Sequence, residues 1–501
     1  MADRVSSSIL AELEAQALSD PQLPRANPTV ATWQLPPHPT LSEIQSESLL
    51  KTTDYAIIGS GVTGCSVAKT LFEQAPSSSH PFSVTVLEAR TLTSGATGRN
   101  GGVLTSFVPG DYKLLSERFG HEQAVKIARY ANSTLEKMHA LGNSSDELRR
   151  VSEVRRLQDV VCFEDKESFE QALESYRLYE EHVPEERGTI RKLTPQEAEK
   201  EYNVRAAAGA VVAPNGAFWP YRLITNIWAQ LHSEYHSRLS IETKTPVTEI
   251  TYDANTNKTH PYILHTPRGE LRAAKVIHAT NGYTGHLVPE LRGKIFPVRG
   301  TMSTQKSTPE FGRHGHALSW SIVNSGSYDS VSRTMELGLY YGCQNPHTGD
   351  IFVGGERAKV DEMLVGDDTQ VGDSCAENIS NVLPRLFTKG WEGEGTKSYV
   401  IRTWSGIMGF TADRLPLVGS LPVGVTKRGV EGGEWIAAGF NGYGMPLCWS
   451  SGEAVAKMLL GINVSGFLPE TFLASRERLV DDVEKRMAVV PALQLLVGGH
   501  P

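Results

Sequence analysis

The chain has 501 residues, 40% of them apolar and 21% charged, enough to bury a large core and to divide into two or more closely linked domains. Its 49 Lys and Arg against 57 Asp and Glu leave a net charge of −8, which argues against a sequence-independent nucleic-acid binder, whose surface needs clustered cations to neutralise phosphates. No apolar run is long enough to span a bilayer, and the N-terminus lacks the basic, apolar, small-residue order of a secretory signal, so a cytoplasmic location is expected.

Residues 1–50 begin with a short helical pattern (9–18) and continue through Pro21, Pro24, Pro28, Pro36, Pro37 and Pro39, the composition of an extended surface arm or a disordered leader. An apolar strand ending at Ile58 then runs into Gly59-Ser-Gly-Val-Thr-Gly64, which opens a helix with Val62, Val67 and Leu71 inward; a second strand, 83–87, ends at Glu88. This order binds the ADP half of a dinucleotide. Gly59 permits the tight turn, Gly61 lets backbone amides approach the pyrophosphate, Gly64 lets the helix pack on its strand, and Glu88 can hold both ribose hydroxyls.

Segments 113–141 and 165–183 carry helical periodicity with many charges, as solvated amphipathic helices do. From 206 to 289 the pattern returns to alternating strand and helix: strand 208–212, helix 221–235, a strand around 247–250 and strand 275–280, expected to extend the first sheet. Residues 296–400 lose helical signal and read as strands with turns, the expected second domain. Segment 433–446 repeats the strand, glycine loop and helix order, and 470–489 in the tail is compatible with a surface helix. Five dispersed cysteines without a C-x-x-C pair, and no histidine pair at metal spacing, point to reduced packed thiols and no metal site.

Four further segments bear on the cofactor. In Thr93-Ser-Gly-Ala-Thr-Gly-Arg-Asn-Gly-Gly102, Ser94, Thr97, Arg99 and Asn100 offer donors on a glycine-rich backbone made by Gly95, Ala96, Gly101 and Gly102. The others are Ala279-Thr-Asn-Gly-Tyr283, Thr403-Trp-Ser-Gly-Ile-Met-Gly-Phe-Thr-Ala-Asp413, and the loop from Gly439 through Asn441, Gly442, Tyr443, Gly444 and Met445 to Pro446. A helix N-terminus after that last loop can stabilise negative charge on a reduced flavin ring.

Over most of 52–462 these motifs together resemble the FAD-dependent oxidoreductases of the D-amino-acid oxidase and glycine oxidase type, with the 94–102 loop most similar to the γ-glutamylputrescine oxidase branch and fungal members. The resemblance implies an α/β fold: a discontinuous Rossmann-type FAD-binding domain with an α+β antiparallel-sheet substrate domain. It divides the chain into an N-terminal arm (1–50), FAD-binding parts at 51–112, 206–295 and 401–462, a helical substrate-domain segment at 113–205, the substrate domain proper at 296–400 and a tail at 463–501. It also implies that Val62, Thr63, Ala89, Arg90, Val247, Thr280, Asn281, Gly406 and Asp413 join the glycines, Glu88 and the two loops around FAD. The 94–102 loop has neither His nor Cys, and Gly406 stands where some relatives carry a flavin-linked Cys, so non-covalent FAD is expected. No second glycine triple suggests an NADPH domain; electrons are expected to pass to O2 or to a protein or quinone acceptor.

Flavin oxidation of an amine needs a neutral amine poised over the ring more than a strong protein base, so no catalytic dyad is expected. Amino-acid-oxidising relatives carry an Arg where this chain has Met408, in Gly406-Ile-Met-Gly409, which favours a substrate without the usual carboxylate clamp. Arg402 and Arg299 are candidates for another clamp or for structural ion pairs; Trp404, Tyr341, Tyr340 and Phe410 are candidates for aromatic substrate walls or for core packing. The expected reaction is oxidation of a C–N bond to an imine. A flavin oxidase of a specialised metabolite acting on C–C or C–O, or a non-catalytic flavin protein, are the alternatives.

Overall fold

The computed structural model describes residues 6–76, 81–391, 397–481 and 487–497. Seventeen strands form two sheets: β1 Thr52–Ile58, β2 Val84–Leu87, β3 Arg155–Phe163, β4 Arg191–Leu193, β5 Gly209–Ala217, β6 Leu239–Glu242, β7 Glu249–Tyr252, β8 Tyr262–Thr266, β9 Gly269–His278, β10 Ile295–Gln305, β11 Leu318–Val323, β12 Ser327–Asp329, β13 Thr334–Gln344, β14 Ile351–Lys359, β15 Val400–Thr411, β16 Leu417–Ser420 and β17 Glu434–Ala438. Helices longer than one turn are α1 Ser7–Leu18, α2 Val62–Gln74, α3 Val108–Gly142, α4 Asp146–Ser152, α5 Lys166–His182, α6 Pro195–Tyr202, α7 Pro220–Glu234, α8 Asp373–Ser380, α9 Val382–Leu386, α10 Cys448–Leu459 and α11 Val489–Val497.

The first sheet runs β16-β17-β9-β1-β2-β6, with β7 and β8 beyond β9. Its five central strands are parallel, and apolar residues of α2, α7 and α10 cover one face. Parallel strands buried on both faces need continuous apolar runs, which Ala56-Ile-Ile58 and Val84–Leu87 supply. The helix α10 packs closely on α2 because Gly452 has no side chain: a Cβ there would lie 2.6 Å from the Thr63 carbonyl oxygen.

The second sheet runs β15-β10-β14-β13-β11-β3-β5-β4, antiparallel except for the β3–β11 pair. Several segments differ from the sequence expectation in sheet membership. The apolar strand expected at 208–212 in the first sheet is β5, which pairs with β3 and β4 in the second. Its partner β3 lies inside a segment that reads as helical. The 403–411 motif, expected with the FAD-binding parts, is β15 at the edge of the second sheet, in register with β10 from Ile295 to Gln305. Residues 373–386, expected to be strands and turns, form α8 and α9, whose Ile379, Val382 and Leu386 pack against the far side of this sheet. In the tail, 470–489 is no single helix: it holds a short turn at Glu470–Phe472 and a π turn at Glu477–Asp481, while 482–486 lie outside the described residues.

From Ser6 onward the described part of the arm packs against the body. Leu13 and Ala17 of α1 are buried beside Phe296, Met363 and Leu493, and Ala31 and Trp33 are buried between the two sheets. The prolines keep the arm extended while the apolar side chains between them find slots in the body. No helix among the described residues is long and apolar enough to cross a membrane.

Candidate functional site

The turn between β1 and α2 is built as its sequence requires. Gly59 has φ +109°, and a Cβ there would meet the Ala279 carbonyl oxygen at 2.5 Å; at Gly64 it would meet the Gly59 carbonyl oxygen at 2.0 Å. The N-cap of α2 is Gly61, which has no side chain to cap it, so the backbone of Gly61, Val62 and Thr63 forms the helix N-terminus. The Val62 N–H donates to Thr97 Oγ1 (3.0 Å), which fastens the 94–102 loop over this turn. Glu88 is buried; its carboxylate accepts from the Ser60 N–H (3.1 Å), the Ser60 hydroxyl (2.6 Å) and the Arg90 N–H (3.0 Å). Ala89 is half-buried beside it.

Arg90 and Arg99 converge on the buried carboxylate of Asp368, Arg90 at 2.9 Å and Arg99 at 3.5 Å. Burial, offset in part by Asp368, lowers Arg99 to about 10. Arg99 also donates to the carbonyls of Ser94 (2.9 Å), Ser405 (2.7 Å) and Thr29 (2.6 Å). It therefore locks the loop, β15 and the arm together. The buried Ser94 and Tyr283 hydroxyls are left without a hydrogen-bond partner at this seam, and neither residue lines the cavity.

The arm is the part of the site that the sequence reading left out. The Trp33 indole donates to the Asn100 carbonyl and stacks on Phe352 with centroids 3.8 Å apart, while Gln34 Nε2 donates to the carbonyls of Ser94 and Gly98, both at 3.1 Å. Loop glycines expected to serve the cofactor make room for protein: a Cβ on Gly102 would strike the Trp33 ring at 2.6 Å, one on Gly98 the Gln34 amide at 2.8 Å, and one on Gly101 the Tyr341 ring at 2.3 Å. Gly95 meets nothing within 4 Å.

Between the two sheets lies a cavity of about 280 Å³. It gathers predicted residues from all the motifs: Val62; Ala96, Thr97, Arg99, Asn100 and Gly101; Asn281; Gly406 and Met408; Asn441, Gly442, Tyr443, Gly444 and Met445; and Tyr341 and Phe410 from the aromatic candidates. The 439–446 loop reaches it through left-handed conformations at Gly439 (φ +78°), Asn441 (φ +53°) and Gly442 (φ +82°), and is stapled to β15 by Asn441 N–H to the Gly409 carbonyl (2.8 Å) and Thr411 N–H to Asn441 Oδ1 (2.8 Å). Asn281 Oδ1 accepts from the Gly439 N–H (3.0 Å), closing the seam from the β9 side.

Other candidates stand elsewhere. Trp404 is fully buried and donates to the Arg99 carbonyl (2.9 Å), so it stands behind the loop and outside the cavity wall. Tyr340 points to the opposite face of β13, where its hydroxyl accepts from Asn378. Arg299 is held by Glu362 (2.9 Å), Arg402 is outside the cavity lining, and neither forms a clamp there. Asp413, expected at the cofactor, is bidentate to the buried Arg478 of the tail, both bonds 2.8 Å. Val247 is packed in the core beneath β7, and Thr280 bonds Thr284.

The far end of the cavity holds residues that no motif flagged: Asp159 on β3, Tyr176 on α5, Asn215 on β5 and Ser321 on β11. One signal was present in the sequence. Asp159 is a charge directly before the apolar run 160–163, in a strand whose buried face needs a reason to carry a carboxylate.

A parallel sheet with an uncapped helix start at its glycine turn, an acid ending its second strand, and a mostly antiparallel sheet closing over the resulting cavity define a dinucleotide-dependent redox fold. Residues 54–458 match the DAO family model, described as FAD dependent oxidoreductase, and the chain belongs to this family. It is therefore an FAD-dependent oxidoreductase. A probable oxidoreductase, OrdL, of Rhizobium meliloti is 22% identical over 414 residues, 81% of this chain and 83% of that one. The gamma-glutamylputrescine oxidoreductase of Escherichia coli is 23% identical over 417 residues, 82% of this chain and 84% of that one. Among solved structures, glycine oxidase from Geobacillus kaustophilus superposes with a TM-score of 0.62 at 18% identity, covering 85% of this chain and 99% of that one, a likeness of fold.

Proposed function

We propose that the chain oxidises the C–N bond of an amine that lacks an α-carboxylate, yielding an imine and, with O2 as acceptor, hydrogen peroxide. The observation that carries this reading is the state of the arginines. Met408 lines the cavity where the resemblance puts the clamp arginine; of the two lining arginines, Arg99 is taken up by Asp368 and three carbonyls. Arg414 faces the carboxylate of Asp111 at 3.9 Å, and Asp111, which lines the same cavity, opposes a second carboxylate beside it. The name of one relative, the gamma-glutamylputrescine oxidoreductase, supports the same class.

Bound non-covalently, FAD supplies the acceptor for the hydride equivalent leaving the carbon next to nitrogen. In this reading the chain's own residues bind and orient. The α2 N-terminus and the 94–102 loop would hold the pyrophosphate and Glu88 the ribose. The 439–446 loop would offer the ring those backbone N–H groups not already bonded within the protein. Tyr341, Phe410 and Tyr443 wall the cavity and exclude water, so a neutral amine is held against the reacting face.

The test is the visible spectrum of the purified holoenzyme under anaerobic conditions, before and after adding amines with and without an α-carboxylate. Bleaching of the oxidised-flavin band by simple amines, followed by peroxide on readmitting oxygen, is the expected result. Bleaching by α-amino acids alone would overturn the substrate class, and bleaching without peroxide would overturn the acceptor.

A further inference from the structure

The cavity's chemistry is asymmetric. At the β15 end it is lined by Met408, Phe410 and glycines; at the β3 end it is lined by a carboxylate. Asp159 is only 7% exposed, yet it makes no ion pair with any Lys, Arg or His among the described residues. Its oxygens accept instead from two serine hydroxyls of the neighbouring strand, Oδ1 from Ser319 (2.9 Å) and Oδ2 from Ser321 (2.8 Å).

The hydrogen-bond directions show which form of Asp159 this arrangement suits. The amide Nδ2 of Asn215 is a donor only and bonds Ser319 Oγ at 2.8 Å, while the Asn215 oxygen is fixed by the Gly216 N–H at 2.9 Å. Ser319 must therefore spend its single proton on Asp159, which makes Oδ1 an acceptor. Both serine hydroxyls can then donate to an ionised Asp159, whereas the neutral acid would have to turn its own proton to the Ser321 hydroxyl. Burial nonetheless pushes the Asp159 pKa up, so the ionised form gains most when a cation is brought beside it. The walls suit one: Tyr176 and Tyr341 line the same space, and aromatic faces attract ammonium groups.

Position sets the reach. Asp159 is in register with Ser319 and through it with Cys343, so it lies two strand spacings and two residues along from Tyr341, roughly 12 Å, and five strand spacings from β15. A carboxylate that far beyond Tyr341 would not meet a nitrogen oxidised on the β15 side of that ring.

We propose that Asp159 is a specificity-determining residue that receives a second, non-reacting cationic group of the substrate, making the substrate class an extended diamine or polyamine-like cation. This rests on the amine-oxidation reading above. It needs no covalent step of its own.

The experiment is anaerobic calorimetric titration of the holoenzyme with α,ω-diaminoalkanes from butane to dodecane and with the monoamines of equal length, alongside Asp159→Asn. The expected result is a preferred length at which the diamine binds at least about tenfold tighter than the monoamine, with the advantage abolished in D159N. Equal affinity for mono- and diamines in the native enzyme, or a preference that survives in D159N, would overturn the proposal. Asn can accept from the Ser319 hydroxyl through its oxygen and donate to the Ser321 hydroxyl through its amide, and unchanged flavin content verifies the fold. Should D159N lose flavin, Asp159→Glu decides instead, since a longer acid must shift the preferred length shorter. The flavin band is read in the same samples. A diamine preference without bleaching keeps the cation site and removes amine oxidation; bleaching without a preference does the reverse.

Discussion

On the amine reading, Met408 is the cavity residue that stands where a carboxylate clamp would be. Its sulfur lies against Gly442 and its methyl against Gly300, so glycines on two sides leave space for a longer side chain. Met408→Arg should place a guanidinium in the cavity and raise kcat/KM for an α-amino acid relative to the parent amine by about tenfold, the effect of one charge-assisted pair. Steady-state kinetics with a matched amine and amino acid check it; a loss of amine turnover with no gain for the acid would show that the side chain does not face the reacting carbon. Gly101 poses the opposite case. A Cβ there would sit 2.3 Å from the Tyr341 ring, which is itself packed against Gly354 on its other side. Gly101→Ala should therefore retain flavin but swing the tyrosine and lower kcat by roughly a hundredfold, the scale associated with misplacement by about an ångström. Rapid-scan flavin reduction separates this from a loss of cofactor.

At the scale of elements, what the sequence made legible was what is local. The glycine turn of 59–64, the acid at 88 and the loops at 94–102 and 439–446 each work through residues a few positions apart, and the structure gathers members of each segment at one seam. Sheet membership was not legible, because β5 and β15 carry the same apolar pattern whichever sheet they join. Their partners β3 and β10 are fixed by packing between segments far apart in sequence. Asp159 escaped for the same reason: its relay partners come from β5 and β11. The arm escaped because proline-rich composition describes backbone stiffness and says nothing of where Trp33 docks. That docking is a structural commitment: the indole fills a slot bounded by Gly102, Trp219 and Phe352 while holding Asn100. Trp33→Ala should cost about 3–5 kcal/mol in denaturant unfolding and weaken FAD retention, because the cofactor-facing loop loses its brace. If unfolding shifts but flavin stays bound through gel filtration, the arm stabilises the body without shaping the site.

Across the whole molecule, the first sheet is held to its flanking loops by a buried charge cluster away from the cavity. Glu434 on β17 accepts from His278 on β9 (2.8 Å) and is bidentate to Arg428 (2.8 Å for both nitrogens), and Arg428 in turn donates to the Leu287 carbonyl at 3.0 Å. Burial works to raise the Glu434 pKa, but His278 and Arg428 outweigh it and hold the carboxyl below the usual glutamate value of 4.5. A depressed folded-state pKa means that the stabilisation is fully present above the unfolded value and is lost as pH falls through the folded one. The cluster's contribution should thus be flat from neutral pH to about 5 and fade below 4.5. Glu434→Gln leaves Arg428 buried without its counter-charge and should cost roughly 3–5 kcal/mol at neutral pH. Since protonation removes the same charge from the native chain, the gap between native and variant should narrow as the pH drops toward 3. Denaturant unfolding of both proteins at pH 7, 5 and 3 measures that gap directly. A gap independent of pH would mean that the glutamine fails through packing, and that Glu434 owes its place to shape rather than to charge.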